Sequence, residues 1–414
     1  MVGQGDQSYV ENGMEMAAEF DLLNLPAGFI DHPYPYYRAL QEHAPVKVCP
    51  DGTVLLSRYA DLEQVYRDTK MFSSDKTNEF RPKFGATPTY QHHTTSLVFN
   101  DPPLHTRVRG ILQGAMTPRA FSHLRPGLIE LVDGLIDQMD PAGEVDLVAQ
   151  FAAAIPVDVI GNLLGIPNQD RGPLRAWSLA ILGALEPNLS AAALAQSDKA
   201  VTAFLSYLTE LVAERERALG DPETDVLSRL IIGSKEHGKL ETATLLHNCI
   251  FLLNAGHETT TNLIGNGLVV LHEWQDQRDR LIRDPALISS AVEEILRFES
   301  SNQLGNRRAV VNTEIGGHPV QAGTLLTLMI GAANRDPDVF SDPDVFDVSR
   351  KPNRHLAFGS GPHVCLGLGL ARLESIVALS RLLARYPEYR LRGTPVRSQR
   401  VRFRGFTKIA AMLV

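Results

Sequence analysis

The sequence predicts a mainly α protein with small β-sheets, an α+β arrangement in which helices dominate. Hydrophobic positions recur at helical spacing from about residue 103 to residue 298, broken only at short proline and glycine turns. One uninterrupted stretch, residues 240–274, has no proline and is apolar nearly all round in its middle. Short alternating segments near both ends and around residues 310–330 have the period of strands.

Residues 1–20 are polar and contain glycine, with neither a charged start nor an apolar block; they predict a mobile tail, and no signal peptide or membrane anchor. Residues 34–42 have a helical pattern. Val46–Val48 and Val54–Leu56 flank Asp51-Gly52, a strong hairpin signal because Asp-Gly tolerates the positive φ of a tight hairpin turn. Residues 77–99 are rich in Pro, Thr, Gly and His without a clear period, and read as an irregular loop facing a substrate. Helices follow, separated at Pro141-Ala142-Gly143, Gly165-Ile166-Pro167, Glu186-Pro187-Asn188 and Gly220-Asp221-Pro222. Residues 240–274 would span roughly 50 Å at 1.5 Å per residue, enough to cross the molecule. Ser290 and Glu293 have capping-box spacing for a helix through Phe298. Residues 310–330 alternate around Gly316-Gly317 and Ala322-Gly323 as short strands, and 335–354 form a proline- and aspartate-rich meander. After a helical run at 368–386, residues 401–414 alternate again, with a tip at Arg404-Gly405-Phe406-Thr407.

A chain of 414 residues leaves two domains or one large many-helix domain open. Apolar and charged fractions of 44% and 21% suit an ordinary soluble core. The net charge of −8 argues against a nucleic-acid binder, which needs a basic field to collect phosphates. Cys49, Cys249 and Cys365 lie far apart without a CxxC pair, which excludes a disulfide framework and a zinc knuckle and points to a reducing cytoplasm.

Phe358-Gly359-Ser360-Gly361-Pro362-His363-Val364-Cys365-Leu366-Gly367 sets one cysteine among glycines just ahead of a helix. Glycines let the backbone turn tightly and approach a flat ligand, and free amides with the positive end of the helix favour a thiolate. A lone cysteine is as readily a small buried apolar residue, so this loop alone leaves the two readings balanced. Within the long helix, Asn254-Ala255-Gly256-His257-Glu258-Thr259-Thr260 joins a helix-weakening glycine to hydroxyls that can bond back to the preceding turn, and suggests a local bulge. Glu258 would be an acid in a buried helix, where it needs a partner or a role. His257-Glu258 also starts an HExxH metal motif, which fails because position 261 is threonine. Glu294 and Arg297 stand one turn apart, which on a surface is an ordinary pair. His105 and Arg109 lie four apart on one helix face and could grip an anionic group, with Arg307 and His363 as further donors.

Taken together in order, FGSGPHVCLG, AGHETT, EILR, DPPLHTRVR and Asn334-Arg335-Asp336-Pro337 resemble the cytochrome P-450 family of haem-thiolate monooxygenases, in particular its soluble bacterial members. The resemblance implies one triangular helical domain over residues 21–414, with haem b held between the long central helix and the cysteine loop. It implies Cys365 as the axial thiolate that favours O–O cleavage. Phe358 would pack near the sulfur, with Gly359, Gly361 and Gly367 in the loop that approaches the haem. By the same resemblance His105, Arg109, Arg307 and His363 match residues that bind haem propionates. Glu258 and Thr259 match the acid and alcohol that relay protons to dioxygen, beside Ala255 and Gly256, which give it room. Glu294 and Arg297 match a structural pair behind the haem, reversing the surface reading.

Three positions depart from the family pattern. Val345 stands where many relatives have an arginine completing the network with Glu294 and Arg297, and Arg350 could substitute for it. Ser301 replaces a common proline, so residues 302–306 are expected to take an unusual path. Asn254 replaces an apolar residue one turn before Glu258. By analogy Tyr90, His92, His93, Leu97, Val98, Phe251, Asn254, Ala255, Gln303, Leu304 and Phe406 would line the substrate pocket. Asn254 and Gln303 predict a mid-sized, largely apolar organic substrate with at least one hydrogen-bonding group. With no flavin or iron-sulfur segment in the sequence, electrons are expected from a separate ferredoxin and its NAD(P)H-dependent reductase, docking on Arg350, Lys351, Arg354 and His355. The rival expectations are a haem-thiolate sensor without turnover and a relative that uses peroxide or rearranges its substrate; the Glu258–Thr259 pair favours oxygen activation.

Overall fold

The structure, a computed structural model, describes residues 4–222, 225–236 and 240–414. It opens with α1 (Gln4–Glu19) and α2 (Tyr34–His43). The stretch expected to be a mobile tail is thus helical from residue 4, and it packs on α2 with Ala17 and Phe20 buried. Hydrophobic residues too sparse to signal a helix in sequence still supply a buried edge.

The Asp51-Gly52 hairpin forms as expected, with β1 (Val46–Val48) antiparallel to β2 (Val54–Leu56), Val46 opposite Leu56 and Gly52 at φ 82°. Then come α3 (Tyr59–Arg67) and β3 (Phe72–Ser73). Residues 77–99 are no irregular loop: they form α4 (Thr77–Phe84), α5 (Pro88–Thr95) and a short 3₁₀ turn at Leu97–Phe99. A signal was present in Thr87-Pro88, a side-chain N-cap accepting from Tyr90 N at 3.3 Å followed by proline in the first turn.

The helical body comprises α6 (Leu104–Ala115), α7 (Pro118–Gln138), α8 (Ala154–Leu163), α9 (Leu174–Gly183), α10 (Ala191–Arg217) and α11 (Val226–Glu236), with β4 (Glu144–Asp146) between α7 and α8. At its centre α12 (Thr242–Glu273) runs as continuous α-helix, without the expected bulge. It packs against α8, α9 and α10, and also against α14 (Ile288–Phe298) and α16 (Leu368–Arg385), which follow α13 (Gln275–Arg283) and α15 (Ile330–Ala333) in the chain. That many neighbours explains a sequence apolar nearly all round. The capping box is not made: α14 begins at Ile288, and Ser290 Oγ instead donates to Leu287 O and Val348 O at 2.9 and 2.7 Å.

The larger sheet has the order β1-β2-β8-β5-β3, where β5 is Leu304–Ala309 and β8 is Leu325–Met329; β6 (Thr313–Ile315) and β7 (His318–Val320) form a separate hairpin. Among the described strands, β2 and β8 are the one parallel pair. Residues 304–309 form β5, with Arg307 opposite Leu326, and Asn302 makes an isolated bridge to Phe403. At the C-terminus β9 (Arg390–Leu391), β10 (Val396–Arg397), β11 (Phe406–Lys408) and β12 (Ala410–Met412) complete two further small sheets.

Glu294 and Arg297 are fully buried and bonded twice, at 2.7 and 2.8 Å. Arg350 does take the place left by Val345: its Nε donates to Glu294 Oε1 at 3.0 Å, and its other nitrogens reach the carbonyls of Ser341, Asp342 and Val345.

Candidate active site

Positions 251, 255 and 259 repeat every four residues, and Asn254 lies beside them, so Phe251, Asn254, Ala255 and Thr259 share one face of α12. This face borders a cavity of about 320 Å³ that is also lined by Phe358, Gly359, Cys365 and Gly367 of the cysteine loop. Gly256 borders it too, at the crossing with α8, where a Cβ would meet Ile160 Cδ1 at 2.9 Å.

The cysteine loop is shaped by its glycines. Gly361 sits at φ 68°, and a Cβ there would run into the Tyr66 carbonyl oxygen, so only glycine lets the loop lie against α3. Cys365 N donates to Phe358 O at 2.9 Å, closing the turn under the sulfur. Burial pushes the Cys365 thiol up, while the Gly367 amide, Arg109 and Arg372 pull it down. Such a sulfur is poised for a cation that displaces its proton. Arg372 lies over the Phe358 ring at 4.9 Å and grips Glu293 at 2.6 and 2.8 Å, with His355 on the same carboxylate at 3.1 Å. Burial would raise Glu293, but the hydrogen bonds from His355 and Arg372 outweigh it and lower the pKa to about 2.

One edge of the cavity collects cations and imidazoles. His105 and Arg109 come from α6, Arg307 from β5 and His363 from the cysteine loop, and all four border the cavity. The His105 and His363 rings lie 3.9 Å apart. Burial, with Arg307, His105 and Arg109 alongside, lowers His363 to about 3. His105 Nε2, His363 Nε2 and Arg307 Nε are buried without a hydrogen-bond partner among the described residues. Leaving such groups unpaired is costly, and an anionic group at this edge would satisfy them together. The residues present therefore fit a flat, mostly apolar group with an anionic rim and a thiolate-bound metal at its centre.

Of the relay pair, Thr259 borders the cavity and donates from Oγ1 to Ala255 O at 2.7 Å. Glu258 does not; it turns to Arg400, whose Nη1 reaches both carboxylate oxygens at 2.8 and 2.6 Å. Adjacent helix positions point about 100° apart, so the two cannot share one direction. Burial raises Glu258 to about 7, against the pull of Arg400 and with a push from Glu186.

His92, His93, Leu97, Val98 and Leu304 also border the cavity. Tyr90, Gln303 and Phe406 do not. Tyr90 lies beneath Arg81, 5.4 Å from its ring centre, because α5 turns it away from the histidines. Gln303 is consumed by structure: Tyr37 Oη donates to its Oε1 at 2.8 Å and its Nε2 donates to Ser300 O at 2.7 Å. Phe406 starts β11 beneath Arg397 at 4.1 Å, and Phe403 borders the cavity instead. Sequence reasoning also missed Lys76, Arg402 and Glu374. Glu374 had a signal, an acid four residues after Leu370 on the buried stripe of α16; Lys76 and Arg402 reach the cavity from distant segments and had none.

Residues 189–397 match the family model described as Cytochrome P450. The chain is 35% identical over 369 residues to the biotin biosynthesis cytochrome P450 of Bacillus subtilis (strain 168), covering 88% of this chain and 91% of that one. It is 39% identical over 371 residues to the vitamin D(3) 25-hydroxylase of Pseudonocardia autotrophica, covering 88% of each. Its fold is similar to the crystal structure of P450BioI in complex with hexadec-9Z-enoic acid ligated acyl carrier protein, with a TM-score of 0.89 at 32% identity over 94% of this chain and 100% of that one. The chain belongs to the cytochrome P450 family of haem-dependent monooxygenases.

Proposed function

We propose that this chain takes electrons from a separate ferredoxin and its NAD(P)H-dependent reductase, and inserts one oxygen atom of O2 into a mid-sized, largely apolar organic substrate carrying a polar group, by hydroxylation or by O- or N-dealkylation. The observation that carries this reading is that Cys365 and Thr259 border one cavity, with His105 Nε2, His363 Nε2 and Arg307 Nε at its rim lacking partners among the described residues. Cys365 would ligate the iron of haem b, with Phe358, Gly359 and Gly367 allowing the approach, and His105, Arg109, Arg307 and His363 would hold the propionates. Haem, when bound, supplies the oxygen chemistry, which a thiolate ligand promotes by donating electron density. Ala255 and Gly256 leave space for dioxygen beside Thr259. Thr259 Oγ1 keeps its proton on Ala255 O and offers its lone pairs to the cavity. Glu258, with a pKa of about 7, would take a proton from solvent on the Arg400 side and, by side-chain rotation, pass it to Thr259 Oγ1 as that hydroxyl turns from Ala255 O and releases its own proton into the cavity.

His92, Leu97, Val98, Phe251, Asn254 and Leu304 would enclose the substrate. Among the described residues no helix is long and apolar enough to cross a membrane, and the reading is of a single domain over residues 21–414 acting in the cytoplasm. Two members of the basic cluster expected to dock the electron donor are held by carboxylates. Arg350 is tied to Glu294 and His355 to Glu293, so Lys351 and Arg354 are the cations of that cluster exposed to a partner.

Reduced protein under carbon monoxide should show the strongly red-shifted Soret band of a thiolate complex, and Cys365→Ala should lose it. An unshifted band in the intact protein would falsify Cys365 ligation.

A further inference from the structure

Three of the most buried polar side chains in the molecule border the cavity without a complete set of partners. Asn254 is 2% exposed, and neither its Oδ1 nor its Nδ2 has a hydrogen-bond partner among the described residues. His92 and His93 are 1% and 2% exposed, with His92 Nδ1 and His93 Nε2 unpartnered. They form one wall. His247, seven residues before Asn254 and so two turns away on the same face of α12, has its ring 5.6 Å from that of His92.

The wall is rigid. Asn248 of α12 accepts from Leu97 N at 2.9 Å and donates to Thr95 O at 3.3 Å, pinning the end of α5. At the other end Thr89 Oγ1 donates to Ser197 Oγ of α10 at 2.8 Å. Ser96 Oγ donates to His92 O at 2.6 Å. The backbone that carries the two histidines is thus held at both ends, and a ligand group in the cavity would satisfy the unpartnered atoms.

The rest of the cavity wall is electrically spoken for. Lys76 pairs with Glu79 at 2.7 Å. Arg402 spends its guanidinium on Leu185 O, Leu304 O and Asn306 Oδ1, and its charge is offset chiefly by Glu186. Glu374 is pushed up to about 8 by burial and is largely uncharged at neutral pH. Arg109 and Arg307 are answered by the two propionates, a point that rests on the haem reading above. Burial keeps His92 and His93 neutral, His93 at about 3 with Lys83 adding to the effect. His93 is hydrogen-bonded to the Ile181 carbonyl, so its free nitrogen is Nε2, an acceptor.

We infer that this cavity recognises an uncharged substrate through a hydroxyl-type group, which donates to His93 and pairs with Asn254 or His92, and that it discriminates against a free carboxylate. A hydroxyl both donates and accepts, which matches an amide beside an acceptor imidazole. A carboxylate brings only acceptors and cannot donate to His93 Nε2. An ammonium would meet the field of Lys83 and Arg402 that already holds His93 neutral.

The test titrates the haem-loaded protein with two matched series, adamantane, adamantan-1-ol and adamantane-1-carboxylate, and dodecane, dodecanol and dodecanoate. Binding is read by the low- to high-spin shift and by calorimetry. The alcohol is expected to bind most tightly in each series. Asn254→Leu and His93→Phe should each cut the preference for alcohol over hydrocarbon by roughly tenfold. Carboxylate binding as tight as alcohol binding, no alcohol binding, or an unchanged preference in both variants would overturn the inference. The wild-type series decides alone if neither variant folds. The carbon monoxide spectrum separates the two readings: with the thiolate band present, failure belongs to this inference, whereas an absent band removes both.

Discussion

Glu258 and Thr259 adjoin in sequence but look in different directions, one to Arg400 and one into the cavity. Arg400 stabilises the charged carboxylate, so removing it should raise the Glu258 pKa further above about 7. In Arg400→Gln the acid would stay protonated to higher pH. The alkaline limb of kcat should move up by about one unit, measured as product formation against pH with redox partners in excess. An unmoved limb would remove Glu258 from the relay. Arg350 teaches a related lesson: it reaches Glu294 from five residues beyond Val345, because a guanidinium on a flexible stem serves a buried carboxylate from several chain positions.

Glu299, just past α14, joins elements distant in the chain. Tyr34 Oη of α2 donates to its Oε2 at 2.6 Å, Arg404 donates to its Oε1 at 2.5 Å, and Arg397 of β10 pairs with it at 3.0 Å. Asn266 of α12 donates to the backbone carbonyls of both Glu299 and Arg404 at 3.1 Å. Burial would raise Glu299, but Arg404, Arg397 and Arg335 overcome it and lower the pKa to about 2. A depressed acid contributes stability that is present above its unfolded value of 4.5 and is lost as pH falls towards about 2. Glu299→Gln leaves Arg404 and Arg397 short of a counter-charge and should cost about 3–5 kcal/mol at pH ~7. In urea unfolding the gap to wild type should narrow by pH ~3. An equal gap at both pH values would show that the charge is not what matters.

The whole molecule carries a net charge of −8, yet Lys351 and Arg354 stand exposed just before the cysteine loop. Charges at the rim of an interface act mainly on association rate and salt dependence. Lys351→Glu with Arg354→Glu should slow reduction by an acidic ferredoxin several-fold and weaken its salt dependence, while reduction by dithionite stays the same. Unchanged ferredoxin rates would place the docking surface elsewhere. Reversing Arg350 would be a poor test, since it would break the Glu294 network instead.

By itself the sequence determined what depends on local covalent chemistry: the Asp51-Gly52 hairpin, the long central helix, and the glycine loop that carries Cys365. Through its resemblance to the family it also marked Asn254 as unusual, because similar proteins have an apolar residue there. Tertiary structure alone decided the direction and partners of each side chain. Gln303 is bound by Tyr37 from 266 positions away, and Glu258 by Arg400 from 142. Lys76, Arg402 and Phe403 reach the cavity from segments with no shared period. Periodicity records which face of an element is buried; whether a buried polar group meets a protein partner or awaits a substrate depends on contacts between segments far apart in the chain.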